Sequence, residues 1–237
     1  VVKHAGKITL LLVFTFISVG SNPRATAFTV VNENNNLYKM VDVEQWGSAK
    51  YITLGKPTVL VAMADEISKN TSESLSRLSI DMDLGEPSGF TLDQFRTAFY
   101  ESKYIANDRH DVIKNNIDQF YNVEQKYGIN GIFVLSIAVH ESGWGTSKLA
   151  LNSNNLFGYI GMSFDSYERC IDYVAKTLMQ RYLNPKGEIV KGLDQPATGI
   201  YHSGSTVASV NRIYAGDKEW SQKVFNYMDH FYSNIAN

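Results

Sequence analysis

The chain has 237 residues, enough to bury a sizeable core in one or two domains. Hydrophobic residues make up 44% and charged residues 19%, the proportions of an ordinary globular protein and not of a disordered or collagen-like one. With 22 basic and 24 acidic residues the net charge is −2 and no basic stripe is present, which argues against nucleic acid as a partner and gives no reason to expect binding to anionic membranes. The single cysteine, Cys170, excludes an intramolecular disulfide and sits in an apolar helical stripe, where a buried small hydrophobe is expected.

In chain order, Lys3 and Lys7 precede the uncharged apolar run Ile8–Val19, and Ala25-Thr26-Ala27 supplies small residues in the pattern that signal peptidase accepts. This start reads as a secretory signal peptide over residues 1–27, too short in its apolar part for a membrane span, so no stable span is expected after processing. Its removal takes away Lys3, Lys7 and Arg24 and no acid, leaving a mildly acidic chain; the alternative is an uncleaved membrane anchor.

Residues 28–88 form an amino-terminal segment or linker of unreadable role. Phe28–Val31, Leu37–Val43 and Lys50–Leu54 are short β-branched or aromatic runs that predict strands. Thr58–Ile67 reads as more helical, and the serine-rich Asn70–Ser79 reads as linker.

Residues 89–237 read as one mainly α domain. Thr91-Leu92-Asp93-Gln94 is a capping box before Phe95, Ala98 and Phe99 at helical spacing. A second helix is predicted from about Asp111 to Tyr127 with Ile113, Ile117, Phe120, Tyr121 and Tyr127 on its inner face, stopped by Gly128. Gly131–His140 is apolar nearly all round, the mark of a helix buried on most sides. A further helix is predicted from about Asp165 to Leu183, a short one near Thr206, and a last one from about Asp217 that turns Trp220, Val224, Met228 and Phe231 inward.

The most informative feature is that the buried helix ends in Glu141, before Gly143-Trp144-Gly145. Partial burial and the negative end of the helix dipole both favour a neutral carboxyl, which is what a general acid requires. An exposed glutamate that merely ends a helix is the alternative from spacing alone. His140-Glu141 lacks the second histidine of the H-E-x-x-H zinc signature, because Trp144 stands there, and neither a metal nor a cofactor is expected.

Three ordered pieces carry a resemblance. Gly128-Ile129-Asn130 and Ala138-Val139-His140-Glu141-Ser142-Gly143-Trp144-Gly145 come first, Asn154-Asn155-Leu156-Phe157-Gly158 follows, and Asn211-Arg212-Ile213-Tyr214-Ala215-Gly216-Asp217 is last. Together they resemble the glucosaminidases of glycoside hydrolase family 73 over roughly residues 89–236. The resemblance implies a lysozyme-like α fold and a secreted or wall-associated enzyme that cleaves peptidoglycan glycan strands after N-acetylglucosamine. It implies Glu141 as the acid and Tyr214 as an active-site hydroxyl, with Trp144, Asn155, Phe157 and Tyr201 as candidate substrate contacts; a monomer is expected.

The chain departs from that family's pattern in one place. Only Tyr159–Phe164 separate Gly158 from Asp165, too few residues for the hairpin that carries a second acid in many members. Asp165, Glu188, Asp194 and Asp217 are the acids left to consider, with Glu188 and Asp165 the candidates for that role, although Asp165, with Glu168 three residues on, reads more naturally as a helix cap and Asp217 likewise sits at a helix start. Lytic transglycosylase or muramidase chemistry on the same fold, and an inactive wall-binding module, are the competing readings.

Overall fold

The computed structural model describes side chains at residues 69, 72–73 and 75–235, and backbone alone at 13–15, 25–31, 37–43, 50–53 and 236. Val1–Lys69 and Asn70–Asn237 form separate compact units. The first contains an antiparallel sheet in the order β1 (Val13–Thr15), β2 (Ala25–Val31), β3 (Leu37–Val43), β4 (Lys50–Thr53). The three expected strands correspond to β2, β3 and β4. β2 also takes in the small residues of the expected cleavage site, with Ala27 opposite Val41. The helical reading of Thr58–Ile67 lies outside the described residues.

The second unit is mainly α-helical. Its packing begins upstream of the expected boundary at residue 89: Leu84 is fully buried, and its carbonyl accepts the Asn130 N–H at 2.9 Å. The helix α1 (Leu92–Tyr100) starts with the capping box read from the sequence, Thr91 accepting from Gln94 N and the Gln94 side chain from Thr91 N.

α2 (Ile117–Tyr127) starts later than the apolar spacing suggested. The buried Asp108 carboxylate accepts the backbone N–H groups of Val112 and Lys114, both at 2.8 Å, and Asp111 has φ 52°, so the chain cannot enter the helix before a short 3₁₀ turn at Lys114–Asn116. Gly128 ends α2 in the left-handed conformation, as expected.

α3 (Gly131–Ser142) is the centre of the domain: every residue from Gly131 to Val139 is buried, and it packs against α2 and α7 (Trp220–Ala236). Gly131 allows the close approach to α2, since a Cβ there would lie 2.6 Å from the Phe120 carbonyl oxygen. Around this axis stand α4 (Lys148–Ser153), α5 (Tyr167–Leu178, extended by a π turn over Met179–Leu183) and α6 (Val207–Tyr214). A short hairpin of β5 (Ile189–Val190) and β6 (Gln195–Pro196) follows α5. Cys170 is fully buried in α5, and burial pushes its thiol up to about 12.

The amino end of α3 is the most polar point of the core. Glu124, fully buried, accepts from Gly131 N at 2.7 Å, Ser88 N at 3.0 Å and Ser88 Oγ at 2.9 Å. Burial holds its carboxyl above the usual carboxylate range despite these bonds. The folded state therefore binds more protons than the unfolded state just above the ordinary glutamate pKa, and stability falls as pH rises through that window. We expect Glu124→Gln, which can donate to Ser88 Oγ, to flatten that fall in urea denaturation across pH 4–7. Glu124→Ala, which orphans three donors, should cost about 3 kcal/mol.

Candidate active site

Glu141 lies on the last turn of α3 and is half-buried. The chain leaves the core there because Gly143, Trp144 and Gly145 all have positive φ (55°, 61° and 72°), a turn held by Gly145 N donating to Ser142 Oγ at 2.7 Å. A Cβ at Gly145 would lie 2.8 Å from Val112 Cβ, so glycine is required for space as well as conformation. Glu141 Oε1 accepts the indole N–H of Trp220 at 2.7 Å. Oε2 lies on the other side, 3.5 Å from where a Cβ on Gly158 would stand.

Tyr214 ends α6 beside this carboxyl. Its ring is partly exposed and tilts over Trp220 at 5.0 Å between centroids, but its hydroxyl is enclosed. The Tyr159 hydroxyl is enclosed too, and neither oxygen has a hydrogen-bond partner in good geometry. Burial pushes both phenols well above their ordinary pKa, and for Tyr214 the neighbouring Tyr159 and the charge of Glu141 add to the shift. At neutral pH both are therefore neutral O–H groups. Tyr182 and Tyr201 continue the aromatic row, with centroids 5.9 Å from Tyr182 to Tyr214 and 5.0 Å from Tyr182 to Tyr201.

Of the expected substrate contacts, only the half-buried Tyr201 belongs to this row. Trp144 is 4% exposed and packs against Phe99, Tyr104, Tyr227 and Phe231. It forms the floor of a separate cleft of about 790 Å³, whose lining includes His140 but not Glu141. Asn155 is fully buried and braces its own loop: its amide donates to the carbonyls of Tyr159 and Met162, and its oxygen accepts from Phe157 N and Tyr159 N. Phe157 is 3% exposed and belongs to the core. Asn155 and Phe157 are structural because each side chain has satisfied its packing or polar needs inside the protein.

Asp165 and Glu188 are exposed, and α5 is capped by Ser166, whose hydroxyl accepts from Arg169 N, so Asp165 is not the cap. Glu188 sits in the turn before β5, its carbonyl accepting from Ala197 N. Asp217 is bound to Lys223 Nζ at 2.7 Å, and that ammonium holds its carboxyl below the usual range. Among the described residues no group of side chains is arranged to hold a metal ion. Sequence reasoning missed Trp220 and Tyr159 as site residues. Trp220 was read as core, which it is, but a buried indole also needs an acceptor, and that acceptor was not foreseeable from spacing.

A carboxyl delivered by a core helix into a row of phenols defines a helical domain built around one acid. Residues 117–233 match the family model described as Glucosaminidase: Mannosyl-glycoprotein endo-beta-N-acetylglucosaminidase. Two relatives from strains of Streptococcus pneumoniae, named for endo-beta-N-acetylglucosaminidase activity, are 24% identical over 62% of this chain. The chain spans only 21% and 20% of their lengths. Among solved structures, S. aureus autolysin E is similar over 80% of this chain and 82% of its own, at 20% identity and a TM-score of 0.44. A catalytic mutant of that autolysin in complex with the disaccharide NAG-NAM is similar at the same identity and TM-score, over 80% of this chain and 83% of its own.

The Tyr214 hydroxyl meets the Tyr159 hydroxyl without a well-formed hydrogen bond, so its removal breaks no strong pairing. Tyr214→Phe is expected to be as stable as the parent within about 0.5 kcal/mol, or more stable, in chemical denaturation; a loss above about 1 kcal/mol would show that the hydroxyl is a structural donor.

Proposed function

We propose that this chain is a secreted, wall-associated peptidoglycan hydrolase that cleaves the glycan strand after N-acetylglucosamine, with Glu141 as general acid. The observation that carries this reading is the placement of Glu141: half-buried at the end of a core helix, with one oxygen on Trp220 and the neutral Tyr214 phenol beside it. The match of residues 117–233 to the glucosaminidase family model and the names of the pneumococcal relatives support the bond assignment. The basic-then-apolar start of the chain supports export. Among the described residues no helix is long and apolar enough to cross a membrane.

In this mechanism Glu141 protonates the bridging oxygen as the glycosidic bond breaks and positive charge develops on the anomeric carbon. Tyr214, a donor at neutral pH, orients the acetamido carbonyl of the sugar or the attacking water. Asp217 is committed to Lys223, and Asp165 and Glu188 are exposed on loops. The substrate's own acetamido oxygen is then a suitable nucleophile, one of the recognised exceptions to the two-carboxylate scheme.

Purified peptidoglycan treated with the protein should gain reducing ends on N-acetylglucosamine, measured by mass spectrometry after borohydride reduction. Glu141→Gln should lower the rate by about a hundred- to ten-thousandfold, the usual weight of a general acid. Reducing ends on muramic acid, or 1,6-anhydro products, would overturn the bond assignment. Activity on high-mannose glycopeptides with none on peptidoglycan would overturn the substrate.

A further inference from the structure

Trp220 opens α7, is 2% exposed, and spends its only side-chain donor on Glu141. The end of α6 and the start of α7 hold it there. The Asn211 amide donates to the carbonyls of Ala215 and Asp217, while its oxygen accepts from Ser221 N, and Trp220 N donates to the Asp217 carbonyl at 3.2 Å. Tyr214 sits on the same frame, three residues beyond Asn211 on α6, with its ring against the indole. Asn211, Tyr214 and Asp217, which the sequence presents as one motif, therefore fix the indole and the phenol relative to each other.

A glutamate on a helix end has a broad terminal torsion, so without an anchor either oxygen could face a substrate. An indole N–H can only donate, and a neutral carboxyl accepts best on its carbonyl oxygen. Resting on the acid role given to Glu141, we propose that Trp220 is a positioning residue. Its N–H fixes Oε1 as the accepting oxygen and leaves Oε2, over the bare Gly158 backbone, as the oxygen that carries and delivers the proton. Gly158 has φ 69° and presents no side chain to Oε2. The same bond returns after each turnover, so reprotonation occurs on the oxygen that faces the glycan.

The test uses the full chain and soluble peptidoglycan glycan strands, with kcat, KM and melting temperature measured together. Trp220→Phe removes the N–H and part of the ring. Benzothienylalanine at position 220 keeps the shape of the indole and replaces only N–H by sulfur, and 7-azatryptophan keeps the N–H. Both the phenylalanine and the benzothienylalanine proteins should lose roughly ten- to a hundredfold in kcat, the weight of one hydrogen bond to an ionisable group, with KM within about twofold. The 7-azatryptophan protein should work at the parent rate. Full kcat in the benzothienylalanine protein would overturn the proposal, because packing alone would then account for Trp220. If that happens while Glu141→Gln stays inactive, only the positioning role falls. If the unmodified chain cleaves no glycan, the function and the positioning role fall together.

Discussion

A helix buried on all sides must have both of its polar ends satisfied, and the rest of this domain is arranged to meet that demand for α3. At its start, Glu124 takes the Gly131 N–H, and Asn130 accepts from Phe133 N while donating to the Tyr232 hydroxyl. At its end, Ser142 Oγ donates to the Ala138 carbonyl at 2.6 Å and accepts from Gly145 N. The three consecutive positive φ angles then take the chain out of the helix direction. With both ends fixed and its length buried, α3 can neither slide nor rotate, and residue 141 stands where the helix leaves the apolar core. The carboxyl occupies a rigid element, which is more exact than a loop could be.

The price of that arrangement falls on groups around the carboxyl rather than on the carboxyl itself. Tyr159 and Tyr214 bring enclosed hydroxyls together without a well-formed hydrogen bond, a rare condition that native proteins tend to keep at working sites. Glu141, by contrast, is tied to Trp220, and Trp220 to the α6–α7 junction through Asn211. The carboxyl is thus anchored by a group that can only donate, while the two phenols beside it keep hydrogen-bonding capacity in reserve.

Much of the helical unit was legible because its signals are local. The capping pair Thr91 and Gln94, the left-handed stop at Gly128, the all-round apolar run of α3 and the burial of Cys170 each depend on residues within one or two turns of each other. What was misread depends on partners far along the chain or on competing local caps. Asp108 delays α2 by holding two backbone N–H groups that the apolar spacing had assigned to the helix. Ser166 displaces Asp165 as cap because its hydroxyl is one residue closer to the helix. Leu84 joins the core through the carbonyl it lends to Asn130, so composition placed the start of the unit too late. The indole of Trp220 finds an acceptor 79 residues earlier in the chain, a pairing that periodicity cannot foresee.

The same distinction explains why the motif set named too many substrate contacts. Residues recur together in a motif when the backbone around a site needs them, and most of that need is structural. Asn155 has each of its hydrogen-bonding groups used inside its loop, Phe157 has its ring in the core, and Trp144 has four aromatic neighbours. Neither Asn155 nor Phe157 has a side-chain polar atom left over for a sugar. Glu141 retains a second oxygen, Oε2, and Tyr214 retains its hydroxyl. In a motif whose side chains are mostly consumed by the fold, the residues with unspent hydrogen-bonding capacity are the ones to which chemistry should be assigned, and here that criterion singles out the acid and the phenol.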